Sequence, residues 1–368
     1  MLSVRAVTSL EAFEGLQKAW DELLGETASN QIFLTWTWLY TWAKHYVKPH
    51  QLLILLVYEA SRLVGIAPLY IVTETRYGML RLRRVTFLGS GEVCSAYLDL
   101  IAPERKKAEV VSAIMSHLYG EAGNEWDLMT WTDLPDDSSS IDHLHHITGE
   151  SGKVLRIVEQ TCCPVARLDP TADAFVQRLS ANERYNLRRK RIRLEKAGRV
   201  EWVHTGFMVD IERDFSAFVE LHQRRWRGKG MAGCFGNPRF LAFHREIAEV
   251  LNRKGWLRLH FLRLNGDAIA GIYGFSYGGR YSFYLPGFDP TSVPEASPGI
   301  LLLFECVTEA IRDGCREFDF LRGAAGYKMV WADGVRRSLT LSLYNRSARA
   351  AAFSLAESGK ELVKVLAR

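Results

Sequence analysis

The chain carries the same succession of helices and paired strands twice. Apolar runs at 52–59 and 63–72 are joined by the polar turn at 60–62, which is typical of two antiparallel strands. In the second half, predicted strands at 256–264 and 268–277 flank Asn265-Gly266-Asp267, and Asn-Gly between apolar strands favours a hairpin. The two strand pairs lie roughly 190 to 205 residues apart, which is too long for a solenoid repeat and typical of two copies of one domain.

Further helices and strands are predicted around each strand pair. In the first half they are a strand at 4–7, helices at 10–24 and 36–46, strands at 82–88 and 96–101, a helix at 104–121 and a strand at 126–131. In the second half they are helices at 210–225 and 239–253, a strand at 281–285, a helix from Ser297, a strand around Phe318 and a strand at 338–344. This order predicts an α/β chain with mixed sheets of the α+β kind, divided into domains at 1–150 and 151–368.

Charge is divided unevenly between the two predicted domains. Residues 1–150 hold 12 Lys/Arg and 19 Asp/Glu, a net charge of −7, whereas residues 151–368 hold 35 and 23, a net charge of +12. A basic domain attracts anionic ligands. We therefore expect the ligand site in the second domain and a scaffold role for the first.

Composition and cysteine usage indicate a soluble cytoplasmic protein. The segment 1–20 lacks the apolar core of a signal peptide, and the apolar run at 52–58 is too short to cross a membrane. The six cysteines form no C-x-x-C pair, which favours a reducing compartment. The group Asp142, His143, His145 and His146 has no second ligand cluster, so an exposed polar loop is favoured over a metal site there.

Ser297-Pro298-Gly299 stands directly before an apolar helical run that begins at Ile300. Serine suits the N-cap, proline suits the first helical position, and glycine lets a ligand approach the free N–H groups at the positive end of the helix dipole. The sequence therefore predicts an anion site at Ser297, Pro298, Gly299 and Ile300. An ordinary helix start is the alternative.

A short apolar strand, 317–320, follows this helix and carries Asp319 among aromatic residues. A glycine-bearing loop then brings Tyr327 and Lys328 toward the carboxyl end of that strand. Carboxyl ends of strands and helix starts are where open α/β sheets hold ligands. Asp319 is a candidate base, with a structural hydrogen-bond acceptor as the alternative.

The segment 171–199 between the two predicted repeats is strongly basic and helical. Eight basic residues fall within 182–199, namely Arg184, Arg188, Arg189, Lys190, Arg191, Arg193, Lys196 and Arg199. A solvated helix face and contact with phosphates of a substrate or nucleic acid are both consistent with this pattern.

The second half resembles a known family in the order of several short motifs. They are 182–189 with Gly198, Leu221-His-Gln-Arg-Arg-Trp226 with Lys229-Gly230, 266–270, 284–290, Ser297-Pro-Gly299, and Asp319-Phe-Leu-Arg-Gly323 with Tyr327, Lys328 and Trp331. The segment 170–335 is thereby similar to GNAT acyltransferases, in particular the CelD/BcsL-type acetyltransferases and the related FemABX peptidyl transferases. The resemblance implies two tandem GNAT-like (acyl-CoA N-acyltransferase) domains.

The resemblance also implies a reaction and a set of site residues. An acetyl or other acyl group would pass from acyl-CoA to an amine or hydroxyl acceptor, a sugar or a cell-surface polysaccharide precursor, without a metal. Lys328 would stabilise the oxyanion, and Tyr284 or Tyr327 would protonate the leaving group. Candidate acceptor contacts are Arg184, Tyr185, Arg188, Arg225, Trp226 and Arg322.

Two alternatives from other functional classes remain. The first is an aminoacyl-tRNA-dependent transferase of the Fem type, in which the basic helix binds RNA. The second is a catalytically silent GNAT-like binding module in polysaccharide biosynthesis.

Overall fold

The computed structural model of the chain describes residues 2–76, 80–150, 153–204 and 210–366. The strands in this part of the chain are β1 (Leu2–Val7), β2 (Leu52–Glu59), β3 (Arg62–Arg76), β4 (Leu80–Phe87), β5 (Leu128–Pro135), β6 (Arg156–Arg167), β7 (Val200–His204), β8 (Leu257–Leu264), β9 (Asp267–Tyr277), β10 (Arg280–Phe288), β11 (Glu317–Asp319) and β12 (Gly334–Tyr344).

Helices occupy most of the segments between these strands. They are α1 (Leu10–Glu14), α2 (Gln17–Gly25), α3 (Trp36–Tyr46), α4 (Lys107–Tyr119), α5 (Ser139–Glu150), α6 (Ala172–Arg178), α7 (Ala181–Ala197), α8 (Ile211–Arg227), α9 (Pro238–Arg253), α10 (Pro298–Arg312), α11 (Gly326–Met329) and α12 (Ala348–Leu366). Among the described residues, no helix is both long and apolar enough to span a membrane.

The chain forms two compact units, one of residues 1–161 with 337–368 and one of residues 162–336. Residues 337–368, expected in the second domain from the sequence, group with the first unit. The physical reason is strand pairing, because β12 forms an antiparallel ladder with β5 from Ser338–Pro135 to Tyr344–Leu128.

The strand order is the same in both units. The first sheet runs β1-β2-β3-β4-β5-β12, and the second runs β7-β8-β9-β10-β11-β6. In each unit the fourth and fifth strands of this order are parallel, β4 with β5 and β10 with β11. The other neighbours for which a register is described are antiparallel. The predicted mixed-sheet α/β class and its internal repeat are confirmed.

Local sequence explains several boundaries in the second unit. The β8–β9 hairpin turns at Asn265 and Gly266, whose φ angles of 53° and 92° are those that Asn-Gly tolerates. Helix α7 begins with a capping box, in which the Ser180 side chain accepts from the Glu183 N–H and the Glu183 carboxylate accepts from the Ser180 N–H. Helix α9 begins with Asn237 as N-cap and Pro238 in the first turn.

One part of the core of the second unit lies between its sheet and α10. Leu302 and Cys306 of α10 are fully buried and pack in one cluster with Tyr281 and Phe283 of β10 and Phe318 of β11. The apolar face of α10 therefore fixes that helix against the parallel strand pair, and this packing also fixes the place of its N-terminus.

Three segments differ from the sequence-based expectations. The predicted strand at 96–101 forms only an isolated bridge between Ile101 and Ile66, and Tyr97 there has a φ of 57° that a strand does not allow. The segment 142–146, expected as a polar loop, lies in α5, because Ile141 and Leu144 give it a buried face. The helix expected at 10–24 is two helices, α1 and α2, which break at 15–16.

Candidate active site

The parallel strands β10 and β11 separate after a short ladder. They pair only from Arg280–Glu317 to Ser282–Asp319. Strand β10 continues beside β9, whereas the chain after Asp319 follows β6, with the Phe320 N–H donating to the Pro164 carbonyl at 2.9 Å. The gap opens at the carboxyl ends of two parallel strands, the position at which α/β sheets bind ligands.

A cavity of about 330 Å³, here called the first cavity, lies at the carboxyl end of β10 and the start of α10. Its walls come from α8, β10, the start of α10 and α11, and the lining residues are Arg225, Phe283, Pro286, Phe288, Asp289, Pro290, Ser292, Pro294, Ser297, Pro298, Gly299, Ile300, Leu303 and Tyr327. The structure thus brings together the four residues of the predicted anion site with Arg225 and Tyr327.

The start of α10 has an unusual backbone. Val293 and Ser297 both have left-handed conformations, with φ of 42° and 49°. Such angles are strained for residues other than glycine, and strain of this kind concentrates at functional sites. Ser297 occupies the N-cap position without a capping bond from its side chain, and its carbonyl accepts the Ile300 N–H at 2.9 Å, so Gly299 is the first-turn residue whose N–H can meet a ligand.

Gly299 allows a close approach between α10 and β10. A Cβ atom built at this position would lie 3.3 Å from Cδ1 of Phe288. Gly299 lines the first cavity, and because glycine has no side chain it leaves room for a ligand to approach its N–H. This site therefore has the features that favour an anion.

Arg225 places a half-buried positive charge on the same cavity. Its Nη1 donates to the Pro286 carbonyl at 3.2 Å, and its guanidinium lies 5.1 Å from the ring centroid of Phe288. Its Nε is buried without a hydrogen-bond partner among the described residues. Burial lowers the pKa of Arg225 from its usual value, so the charge lies in a partly desolvated place where it attracts anions strongly.

A second cavity of about 410 Å³ adjoins α7. It is lined by Ser180, Asn182, Glu183, Asn186, Leu187, Lys190, Ile300, Tyr327, Val330 and Trp331. Ile300 and Tyr327 line both cavities. A ligand in one cavity is therefore separated from a ligand in the other by single side chains.

Only one face of α7 lines the second cavity. Asn182, Asn186 and Lys190 follow one another at four-residue steps and share that face. Arg184 instead closes the preceding turn, donating from Nη1 to the Gln177 carbonyl at 3.0 Å. The structure does not bring the predicted contacts Arg184, Tyr185 and Arg188 to either cavity; Tyr185 is 62% exposed and Arg188 is exposed.

Lys328 is buried and held by main-chain groups; it lines neither cavity, although its neighbour Tyr327 lines both. Its Nζ donates to the carbonyls of Phe320 at 2.7 Å and Arg322 at 2.8 Å and lies 5.9 Å from the ring centroid of Phe283, which lines the first cavity. Burial lowers the pKa of Lys328 to about 8, against the opposing effects of Cys163 and Asp319. An ammonium has three protons, and these two bonds use two of them.

Asp319 and Arg322 shape the loop that holds Lys328. Asp319 is fully buried; its Oδ1 accepts from the Leu321 N–H at 2.8 Å, and its Oδ2 lies 3.7 Å from Nη1 of Arg336. Leu321 has a φ of 53°, so this hydrogen bond supports a strained turn. The Arg322 side chain is exposed, and its carbonyl contacts Lys328.

Tyr284 and Trp226 lie away from the first cavity. The Tyr284 hydroxyl lies 3.1 Å from Nε2 of His244, a buried residue of α9, whereas the preceding Phe283 packs against α10. Adjacent side chains of a strand point to opposite faces, which accounts for this separation. Trp226 donates from Nε1 to Nε2 of His222 at 2.9 Å and supports the loop after α8.

Several lining residues were missed as site residues from the sequence. On α7 they are Asn182, Asn186 and Lys190, and elsewhere Phe283, Pro286, Phe288 and Trp331. The four-residue spacing on α7 was a signal that could have identified the first three. No signal in the sequence shows which face of β10 meets α10.

The comparisons with known proteins agree with this geometry. Residues 181–329 match the family model of the acetyltransferase (GNAT) domain. The match begins with α7 and ends in α11. It contains every residue that lines the first cavity, most of those that line the second cavity, and Lys328. In sequence, no curated protein matches the chain.

Solved structures share the fold over nearly the whole chain. FemX has a TM-score of 0.63 at 10% identity, with 94% of this chain and 98% of that chain covered. A tandem GNAT protein from the clavulanic acid biosynthesis pathway has a TM-score of 0.51 at 12% identity, with 95% and 100% covered. L-PGS from Bacillus licheniformis has a TM-score of 0.51 at 10% identity, with 94% and 96% covered. The predicted two-domain acyl-CoA N-acyltransferase-like fold is confirmed.

Among the residues with described positions, no group of three or more His, Cys, Asp or Glu side chains is arranged to hold a metal ion.

Proposed function

We propose that the second unit is an acyltransferase that moves an acetyl or other acyl group from acyl-CoA to an amine or hydroxyl. The observation that carries this proposal is the first cavity, where the α10 N-terminus, Arg225 and Tyr327 meet at the diverging ends of β10 and β11. The match of residues 181–329 to the GNAT domain supports it. Lys328 lies beside that cavity in the same matched segment.

The first cavity fits the anionic part of an acyl-CoA. The N–H at Gly299 and the dipole of α10, a helix of 15 residues, attract phosphate oxygens. Arg225 adds a positive charge to the same cavity. The apolar side chains Phe283, Phe288 and Leu303 suit the pantetheine and acyl chain.

The reaction would proceed by direct attack. The acceptor's nitrogen or oxygen lone pair forms a bond to the thioester carbonyl carbon, the carbon–sulfur bond breaks, and the proton lost by the acceptor is balanced by the proton gained by the thiolate. Tyr327 lines both cavities and is our candidate for giving that proton; burial raises the pKa of its phenol, which keeps it protonated. Lys328 would stabilise the oxyanion with its third proton.

We propose a sugar or polysaccharide precursor as the acceptor, as the resemblance to the CelD/BcsL branch suggests. Amide side chains beside an aromatic ring support this, since Asn182, Asn186 and Trp331 line the second cavity. The first unit would serve as scaffold.

Binding assays test the donor. Acetyl-CoA, longer acyl-CoAs and a charged tRNA are compared for their effect on the melting temperature, because a ligand of the folded state raises it. We expect acyl-CoA to raise the melting temperature and Arg225→Met to reduce that shift. No shift with any acyl-CoA would overturn the proposed donor.

A Fem-type aminoacyl-tRNA-dependent peptidyl transferase is the second candidate. It is favoured by the structural similarity to FemX and by the exposed basic side chains of α7, such as Arg188 and Arg189. In that case charged tRNA, and not acyl-CoA, would bind, and the affinity would fall steeply with salt. Binding of neither donor would leave a catalytically silent module as the remaining reading of this fold.

A further inference from the structure

We infer that the second cavity is the acceptor subsite and that Lys190 makes it select acceptors with an acidic group, a carboxylate or a phosphate. The inference rests on the proposed acyl transfer and names the chemistry of its acceptor.

Lys190 is half-buried on α7, lines the second cavity and forms no ion pair within the described part of the chain. Its neighbour Arg191 has two acidic partners, Glu195 and Glu305. Burial, and to a smaller extent Arg189, lower the pKa of Lys190 from its usual value. A lysine that has lost part of its hydration and has no acidic partner among the described residues gains from an anion bound in the cavity that it lines.

Glu183, the one acidic residue that lines this cavity, is already engaged. Its carboxylate accepts the Ser180 N–H at 2.6 Å and completes the capping box of α7. That arrangement ties Glu183 to the helix start, two helical turns before Lys190, so the carboxylate does not pair with the Lys190 ammonium. The positive charge of the second cavity is therefore available for an acidic group.

The remaining walls suit the neutral part of such an acceptor. Asn186 donates from Nδ2 to Oδ1 of Asn182 at 3.2 Å, which fixes both amides on the face that they share with Lys190. Leu187 and Trp331 supply apolar surface on the same cavity. A few placed polar groups on an apolar wall are the usual composition of a small-molecule site.

The position of the cavity makes it an acceptor site. Tyr327 and Ile300 line both cavities, so a molecule held by Lys190 has its other end at the wall shared with the first cavity. The acidic group would be bound at α7 and the nucleophile would lie toward Tyr327. Bound in this way, the two substrates meet at the residue proposed to transfer the proton.

Matched acceptor pairs test the selectivity with acetyl-CoA as donor. The pairs are glucosamine 6-phosphate with glucosamine, and phosphoethanolamine with ethanolamine. A charge-assisted hydrogen bond corresponds to roughly 10- to 100-fold in binding, so we expect kcat/KM to favour the acidic member of at least one pair by about that factor. In Lys190→Met the ratio of kcat/KM for the acidic acceptor to kcat/KM for its neutral partner should fall to about one. In Lys190→Arg this ratio should persist.

Lys196→Met is the matched control, because Lys196 is an exposed lysine on the same helix. It should keep the ratio of the wild type, and melting temperatures show that each variant folds. A ratio near one in the wild type for both pairs, or a ratio that survives Lys190→Met, would overturn the inference.

Calorimetry without donor separates this inference from the proposed function. If no acyl-CoA is turned over but an acidic acceptor binds the wild type and not Lys190→Met, the subsite stands and the proposed reaction fails. If acetyl transfer occurs with no preference for acidic acceptors, the reaction stands and the subsite is wrong.

Discussion

Lys328 donates a 2.7 Å hydrogen bond from its ammonium to the main-chain carbonyl of Phe320, the residue directly after Asp319. Asp319 in turn accepts from the Leu321 N–H, so the buried carboxylate and the buried ammonium both hold the same short loop. The loop after β11 is therefore held by both Asp319 and Lys328.

Replacing Lys328 should reduce turnover more than donor binding. We expect Lys328→Met to lower kcat by about 10²- to 10³-fold, the usual cost of losing one oxyanion donor in a desolvated site, with little change in donor affinity. Steady-state kinetics with acetyl-CoA measure both. The control is Lys254→Met, an exposed lysine after α9. Full activity in Lys328→Met would remove Lys328 from the chemistry.

The charge of Lys328 should set an upper pH limit on activity. Because burial lowers its pKa to about 8, the ammonium is present below pH 8 and is lost as pH rises above it. We expect kcat to fall above about pH 8 in the wild type and this fall to move to higher pH in Lys328→Arg. A wild-type profile unchanged up to pH 9.5 would contradict a catalytic ammonium.

The lowered pKa of Lys328 should also make the stability of the fold depend on pH. Stability should rise with pH over the range in which activity falls. The folded pKa of Lys328 is lower than the unfolded one, so folding disfavours the protonated form and this cost is full below about pH 8. The contribution of this residue to the free energy of unfolding should rise as pH increases from about 8 toward 10.5. Denaturant titrations of the wild type and Lys328→Met at pH 7 and pH 10 measure this contribution. The free energy of unfolding of the wild type relative to that of Lys328→Met should be higher at pH 10 than at pH 7.

Asp319 should behave as a structural residue of the loop. Asp319→Ala removes the acceptor of the Leu321 N–H and the partner of Arg336, and we expect it to lower the free energy of unfolding by about 1–3 kcal/mol. Asp319→Asn keeps an acceptor oxygen and should retain turnover within about ten-fold, which is less than the loss expected for a general base. A 10³-fold loss of kcat in a fully folded Asp319→Asn would instead make Asp319 the base.

Gly299 should matter for the donor and not for folding. A methyl group at this position lies 3.3 Å from the Phe288 ring on the wall of the first cavity. We expect Gly299→Ala to raise the Kd of acetyl-CoA by on the order of ten-fold by disturbing the approach to the first-turn N–H groups. Gly149→Ala is the control, since a Cβ there meets no atom within 4 Å. Equal donor affinities in both variants would exclude this role of α10.

Local patterns in the sequence determined most of the helices and strands. The Asn265-Gly266 turn fixed the β8–β9 hairpin because those residues tolerate positive φ, and the apolar run after Ser297 predicted α10 correctly. The repeat of the strand pairs predicted two copies of one fold. The stretch from Ser297 to Lys328 pointed to the second unit as the place of the site.

Long-range packing decided what local patterns do not contain. Strand β6 and the pairing of β12 with β5 depend on partners far along the chain, so no local period predicts them. The direction of each side chain also followed from packing: α7 turns Asn182, Asn186 and Lys190 toward the second cavity and leaves Arg184 and Arg188 outside it. The sequence by itself determined that a basic helix and a helix start of the form Ser-Pro-Gly occur in one domain. Only the tertiary structure decided which faces meet, because burial of the apolar stripe sets the rotation of every helix.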